Sequence, residues 1–476
     1  MQTILYIYYT FFNLHSMSLR YIPVFILLYT SIAAEGQQKA PLVEGKVNIS
    51  LSQGTFNCDI TVKDIFYIKD YLILLNAGMN LRYIKDANAD DGYYYERVYD
   101  DDISYEAFGY YMLDNTGKSK FIRKALKFSY TGKFPVVGDT AEAARQDWKG
   151  NIAFNGYSVR TDGAQAAWYP ILYDLENEKQ YDEVRYDIEI NCSDCSTIYL
   201  NSNDPVPGSV AKFKSETPTE LLLYAGNYKV KKIDGTYFLN PDIDESQMKE
   251  LGDMTGKFKR YLERHTGIPY KYSITYLNST PVSKYNAWMF VSYPTIADIG
   301  WGEYGLSSFF ASEHSKASVA HELGHYYFGT YRNFNSAISG AISEGFAEYL
   351  SAQILRQFYG NSAYSQVVDK WVVNCKDFSD TCISAIKTRD DISDRETYVY
   401  NYIPLVLTAI EKETDMETMW AWIKKLLQDE TTHTDYRFFE ATLAAAINDS
   451  SKFTIIRDKY LSGDKTLEAA LAQSLP

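Results

Sequence analysis

The chain has 476 residues, 46% hydrophobic and 23% charged, a balance that suits a folded globular protein of two or three domains and excludes a disordered one. Its formal net charge of −14 argues against a nucleic-acid partner, because no run of Lys and Arg in the sequence offsets the repulsion of a polyanion. The 43 tyrosines fit aromatic-rich β-structure, a sugar- or peptide-contacting surface, or a plain compositional bias.

The N-terminus reads as an export signal. Met17 to Arg20 supplies a start and a positive charge, Tyr21 to Leu28 an apolar core, and Ser31 to Ala34 small residues for cleavage. Residues 1–34 are therefore assigned to a signal peptide, and the protein is expected to be secreted, periplasmic or at the cell surface. The apolar run is too short for a stable transmembrane span. With Met1 as the start, two apolar stretches precede the mature chain, and an uncleaved anchor stays open. Asn48, Asn191, Asn278 and Asn448 begin glycosylation sequons, which count only on a eukaryotic export route.

From about 45 to 230, apolar and polar residues alternate in short runs, as in Phe56/Cys58/Ile60/Val62 and Tyr186/Ile188/Ile190. This is the pattern of half-buried antiparallel strands and predicts a β-sandwich domain over 41–235. Clusters such as Asn88 to Gly92 and Asn201 to Pro205 supply loops. In an oxidising compartment, Cys192/Cys195 and Cys375/Cys382 are expected to form local disulfides and leave Cys58 free. No second Cys-X-X-Cys pair exists to complete a four-thiolate zinc site.

Near 243 the period changes. Asp244 to Arg264 reads as an amphipathic helix, Tyr270 to Leu277 and Ala287 to Tyr293 as strands, and roughly 314–329, 339–358, 396–413, 415–429 and 434–447 as helices. The fold class is thus multidomain, β then α+β, with a helical lobe closing the second domain over 236–476.

His321-Glu322-Leu323-Gly324-His325 lies inside a helix-compatible run. Residues four apart share a helix face, so both imidazoles reach one metal ion while Glu322 stands beside its open position. Glu344 follows His325 by 19 positions and begins a second helical segment, Ser343 to Leu350. A turn between the helices would return Glu344 as a third ligand, and two His plus one carboxylate leave a fourth position for water. One Zn2+ per chain is expected. Glu348, one turn beyond Glu344, is either a supporting partner or an exposed carboxylate.

These two segments resemble the gluzincins of the aminopeptidase N and leukotriene-epoxide hydrolase family, together with the related glycyl aminopeptidases. Their pattern is HExxH, eighteen residues, then Glu within Asn-Glu-Gly-Phe-Ala; here Ser343 stands where Asn is usual. The resemblance implies a thermolysin-like catalytic domain after a β domain. It also implies that Gly300 to Leu306 is similar to the family's GAMEN strand, with Glu303 anchoring a substrate amine beside Gly302. That segment is one residue shorter after the Glu, and Tyr304 replaces Asn, so a turn carboxylate remains the alternative. Tyr400, followed by an apolar helix and Ile410-Glu411, resembles the family's catalytic tyrosine. Ile403 replaces the usual Gly, and Tyr398 and Tyr402 are alternatives. The family's C-terminal helical-repeat domain is not seen, which implies a less restricted cleft.

The implied function is an exported zinc peptidase acting on peptides or proteins, an aminopeptidase first, with metal ligands His321, His325 and Glu344, Glu322 as general base and Tyr400 as oxyanion donor. An open-cleft endopeptidase and a catalytically inert peptide- or glycan-binding protein are the competing readings. Side-chain preference and oligomeric state are not legible.

Overall fold

The computed structural model describes residues 39–89, 91–101, 103–104, 106–137, 152–279, 288–299, 305–379 and 381–474. The proposed signal segment lies outside them, as do Gly302 and Glu303.

Alternation builds the first half. In Thr55–Lys63, Phe56, Cys58, Ile60 and Val62 are buried and the residues between them face outward, so one face of the strand seals a core. This strand pairs antiparallel with Leu42–Ser50, which in turn runs parallel to Glu183–Cys192. The resulting six-stranded sheet has the order 210–220, 183–192, 42–50, 55–63, 126–133 and 79–86. A second sheet (179–181, 171–174, 71–76, 107–113, 95–98) and a third (206–207, 197–200, 223–226, 158–160, 153–154) share one hydrophobic core with it. Trp168 and Tyr130 are fully buried there, the tyrosine hydroxyl donating to the Trp168 carbonyl at 3.0 Å. Tyrosine in this half therefore serves largely as core.

A fourth sheet opens the second half. The hairpin Val230–Ile233/Thr236–Leu239 continues in parallel through Thr275–Ser279 and Thr295–Ile299, with Trp288–Ser292 antiparallel at the far edge. The strand at 295–299 was not anticipated, and the strand expected from Tyr270 starts only at Thr275. One face, bearing Leu277, Ala297 and Ile299, packs on Tyr199, Leu222 and Tyr224 of the β-rich half. The other carries Tyr276 and Ile296 into the core formed with the helices.

Apart from single turns at Gly163–Ala166 and Arg395–Thr397, the α-helices among the described residues are α1 (Glu245–Thr266), α2 (Ala317–Gly324), α3 (Ser339–Cys375), α4 (Ile403–Glu413), α5 (Met416–Gln428), α6 (Tyr436–Ile447), α7 (Ser450–Tyr460) and α8 (Thr466–Ser474). The α1 N-terminus is a capping box: the Asp244 carboxylate accepts from the Gln247 backbone N–H, and the Gln247 side chain accepts from that of Asp244. The α3 backbone bends at Gly360, whose φ of 83° is left-handed. Two expected helices are broken. A 3-10 turn at His314–Lys316, α2 and a π-turn at Tyr326–Tyr331 replace 314–329, and a π-turn at Tyr398–Tyr402 precedes α4. Among the described residues, no helix is long and apolar enough to cross a membrane.

The cysteine pattern is corrected in part. Cys192 and Cys195 are bonded, but Cys375 and Cys382 are both free thiols, as is Cys58. Cys375 ends α3 inside the core, where burial raises its pKa to about 12, while the Cys382 sulfur lies 3.4 Å from Ser384 Oγ.

Candidate metal centre

The α2 helix is short and almost wholly buried, and it delivers His321 and Glu322 into the interior with His325 as its C-cap. Three tyrosines fix its exit. Tyr270 donates to the Leu323 carbonyl at 2.7 Å, Tyr326 to Pro269 at 2.8 Å and Tyr327 to Ile268 at 2.9 Å. The α3 helix crosses α2 closely at Gly324, where a Cβ would lie 3.0 Å from Ala347 Cα. Two residues before Ala347, on another face of α3, Gly345 leaves room for Ile403, whose Cγ2 would stand 2.3 Å from a Cβ at that position. The residue that departs from the gluzincin pattern at 403 thus occupies the space left by the glycine of Ser-Glu-Gly-Phe-Ala, and α3 is held against the Tyr400 turn.

This packing brings together three of the expected ligands. His321 Nε2 and His325 Nε2 are 3.0 Å apart, and Glu344 Oε2 lies 3.4 and 3.2 Å from them. Ligands held at about 2.0–2.1 Å in a tetrahedron are about 3.3 Å from one another, so the donor spacing suits a zinc-sized ion. Glu344 Oε2 is buried and faces only the two imidazole Nε2 atoms, an arrangement that is costly for a carboxylate unless those rings are protonated or a cation sits between the three donors.

The electrostatics agree. Burial opposes ionisation of Glu344, yet His325 and His321 hold its pKa well below the ordinary value. Burial likewise opposes charge on His321, and Glu344 with Glu348 overrides it, raising that pKa well above normal. The cluster requires positive charge at its centre, which protons or a divalent ion supply. Burial raises the Glu322 pKa, with the two histidines opposing and Glu344 and Glu348 reinforcing the shift.

Around this centre, Glu348 Oε1 lies 3.4 Å from His321 Nδ1, so Glu348 is the ring's outer partner. The Tyr400 ring centroid is 5.9 Å from that of His321. Burial raises the phenol pKa, with Glu344 reinforcing and Arg395 opposing, so Tyr400 is a neutral donor across the physiological range. Tyr398 and Tyr402 are buried side by side instead, with Tyr402 bonded to Thr466 at 2.7 Å. Glu411 is structural, its carboxylate receiving Tyr349, Gln353 and Arg356 at 2.7, 2.9 and 2.8 Å.

Two neighbours went unread in the sequence. Arg395 places Nη2 3.6 Å from Glu344 Oε1 and comes alongside Tyr400; no motif marks it, although it precedes the Tyr400 turn directly. Asp298 is buried on the sheet face that carries Ile296, and burial with Asp242 and Glu322 nearby pushes its pKa to about 8. A lone carboxylate inside a short strand of otherwise uncharged residues, Thr295–Ile299, was the available signal.

No protein-family profile matches the chain, and no curated protein matches it significantly in sequence. Solved structures do match in fold. An M1 zinc metallopeptidase from Deinococcus radiodurans superposes with a TM-score of 0.59 at 12% identity, over 88% of this chain and 93% of that one. A point mutant of an M1 zinc metallopeptidase from the same organism, bound to a Tyr-Ser-Ala substrate, gives 0.61 at 12% identity over 89% and 95%. Native yeast LTA4 hydrolase gives 0.57 at 11% identity over 90% of this chain and 70% of that one. The chain therefore has the fold of the M1 zinc metallopeptidases, with His321, His325 and Glu344 converging on α2 and α3.

Proposed function

We propose that the chain is an exported zinc-dependent peptidase, with one zinc ion per chain, that removes N-terminal residues from peptides or proteins. The observation that carries this is the convergence of His321, His325 and a buried Glu344 oxygen at metal-ligand spacing, with Glu322 buried beside them. The match to an M1 metallopeptidase bound to a peptide supports the substrate class. The proposal includes a signal peptide at 1–34, a β-sandwich over 41–235 and a thermolysin-like catalytic domain over 236–476. Glu303 with Gly302 would anchor the free amine.

His321, His325 and Glu344 would hold the zinc ion, which when bound would supply Lewis-acid polarisation of the scissile carbonyl and a more acidic water. Glu322 then takes the water's proton and passes it to the departing amine. Its raised pKa brings a carboxylate closer to the range where it can both accept and return a proton. Tyr400, a neutral phenol, donates to the oxyanion. Glu348 holds His321 through Nδ1, and Arg395 lies beside both Glu344 and Tyr400.

The test is cleavage of a mixed peptide pool, half with free and half with acetylated N-termini, by zinc-loaded protein, with Glu322→Gln as control. Loss of single residues from free peptides alone is the expected result. Internal cuts in both halves would make the protein an endopeptidase. If neither half is cut and wild type matches the variant, a binding role would take the place of hydrolysis.

A further inference from the structure

Folding gathers on α1 what the sequence disperses. Lys257, Arg260 and Arg264 follow one another at helical spacing, all exposed. Lys249, earlier on the helix, is paired with Asp234 and Asp253 at 3.1 Å each, whereas the other three meet no carboxylate among the described residues. Like charges four apart, as at Arg260 and Arg264, destabilise a helix. Burial, Arg264 and Lys424 together lower the pKa of neighbouring His265, which shows the same local field in a chain of net charge −14.

The row is part of a concavity. With Tyr261, Gln357 and Phe358 it lines a cleft of about 200 Å³. A second cleft of about 460 Å³ shares Lys257 and Phe358 and is mixed in charge, with Lys316 and Lys249 set against Glu250 and Asp253, the last paired with Lys249, so the cationic character belongs to the first cleft. The bend at Gly360 ends this stretch of α3 and leaves Phe358 38% exposed on the wall.

We propose that this groove is a docking site for an extended acidic segment of a partner or substrate protein. The reading is independent of the chemistry at the metal centre. Charge complementarity selects an anion, and the spacing selects a chain. Lys257 and Arg260 are about 4.5 Å apart along the helix axis, and Arg260 and Arg264 about 6 Å. Alternate side chains on one face of an extended peptide are about 6.6–6.8 Å apart, within reach of these long cationic stems. The rings of the groove favour a peptide over a nucleic acid or a sugar, because most of them pack on one another and Phe358 alone stands partly open, too little for a run of stacked bases or sugars. His265 stacks on Trp420 with centroids 4.6 Å apart, and Tyr261 and Phe258 lie 5.9 and 5.5 Å from Phe358. A bilayer surface offers no chain to enter a cleft.

The experiment is fluorescence anisotropy of the full chain with a labelled, acetylated ten-residue peptide alternating Glu and Ser, its integrity followed by mass spectrometry. A Gln/Ser peptide of the same length is the control. The acidic peptide should bind, the Gln/Ser peptide should bind at least tenfold more weakly, and added salt should weaken the complex. The combined variant Lys257→Gln, Arg260→Gln and Arg264→Gln should lose at least tenfold in affinity with an unchanged thermal melt. Lys249→Gln, with its cation already paired, should change binding little and controls for nonspecific charge. Equal binding by wild type and the triple variant would overturn the proposal. So would the absence of binding at millimolar peptide, or tighter binding of single-stranded oligonucleotide, sulfated oligosaccharide or anionic vesicles. Metal content and peptide hydrolysis, measured separately, report on the metal centre whatever the groove binds.

Discussion

Glu322 and Glu344 are neighbours in space with different tasks, and substitution separates them. Glu344→Ala removes the one carboxylate that sits between both Nε2 atoms. Its zinc content after dialysis is expected to fall from one per chain to near none, read by atomic absorption. Retained metal would place the third ligand elsewhere. Glu322→Gln leaves all three donors in place, so metal should stay while kcat falls about a hundred- to ten-thousandfold, the usual contribution of a positioned acid–base group. Tyr400→Phe should cost about a hundred- to a thousandfold in kcat, mostly without change in metal content, since the phenol ring lies against His321 without joining the donor cluster. His321, Glu322 and His325 were legible because a helix imposes the four-residue spacing whatever surrounds it, whereas Tyr400 was legible only through the family resemblance and Glu344 through a second helical segment together with that resemblance. Arg395 and Asp298 were not, because they reach the centre through tertiary packing and belong to no periodic pattern.

At the level of elements, helix positions were largely visible in the sequence, and their irregular ends were not. The α1 helix announces its start with Asp244 and its end with Gly267, whose φ is 75°. The π-turns at 326–331 and 398–402 carry no such signal, since tertiary contacts of Tyr326, Tyr327 and Tyr402 hold them. The Cys375/Cys382 expectation failed for the same reason: proximity in sequence does not bring the thiols together when one belongs to a helix end in the core. Gly345 is where element packing and chemistry meet. A methyl group there would overlap Ile403 and press α3, with Glu344, away from the Tyr400 turn. Gly345→Ala should destabilise the fold by about 1–3 kcal/mol, as overpacking usually does, and weaken zinc binding. Adding Ile403→Ala should recover part of both losses, so that the double variant costs less than the two single ones together. Additive losses in denaturant titrations would show that the two side chains do not share that space.

On the scale of the whole molecule, Pro41–Pro476 is one compact unit in which the β-rich half and the mixed sheet meet through buried polar contacts as well as apolar ones. Asn201 donates to Ser292 Oγ at 3.1 Å and to the Tyr293 carbonyl at 3.0 Å, while Ser292 Oγ donates to Glu220 at 2.5 Å. None of this long-range pairing can be read from alternation, which gives a strand's inward face and not its neighbour. Glu220 lies directly across the antiparallel ladder from Glu183, with Asp182 beside them. Burial, then Asp182 and Glu220, raise the Glu183 pKa from 4.5 to about 8, with Lys271 opposing. Below pH 4.5 the group is protonated both folded and unfolded and costs nothing. As pH rises toward 8 the unfolded chain releases the proton while the folded chain keeps it, so stability falls across that window and then levels off. Glu183→Gln removes the titration. After allowance for partial exposure and coupling, it should stabilise the protein by about 1–2 kcal/mol at pH 8.5 and by little at pH 4.5, measured by urea unfolding at the two values. An equal effect at both would mean that the gain comes from packing, and no effect at pH 8.5 would mean that Glu183 ionises freely and the opposed carboxylates are not held together in solution.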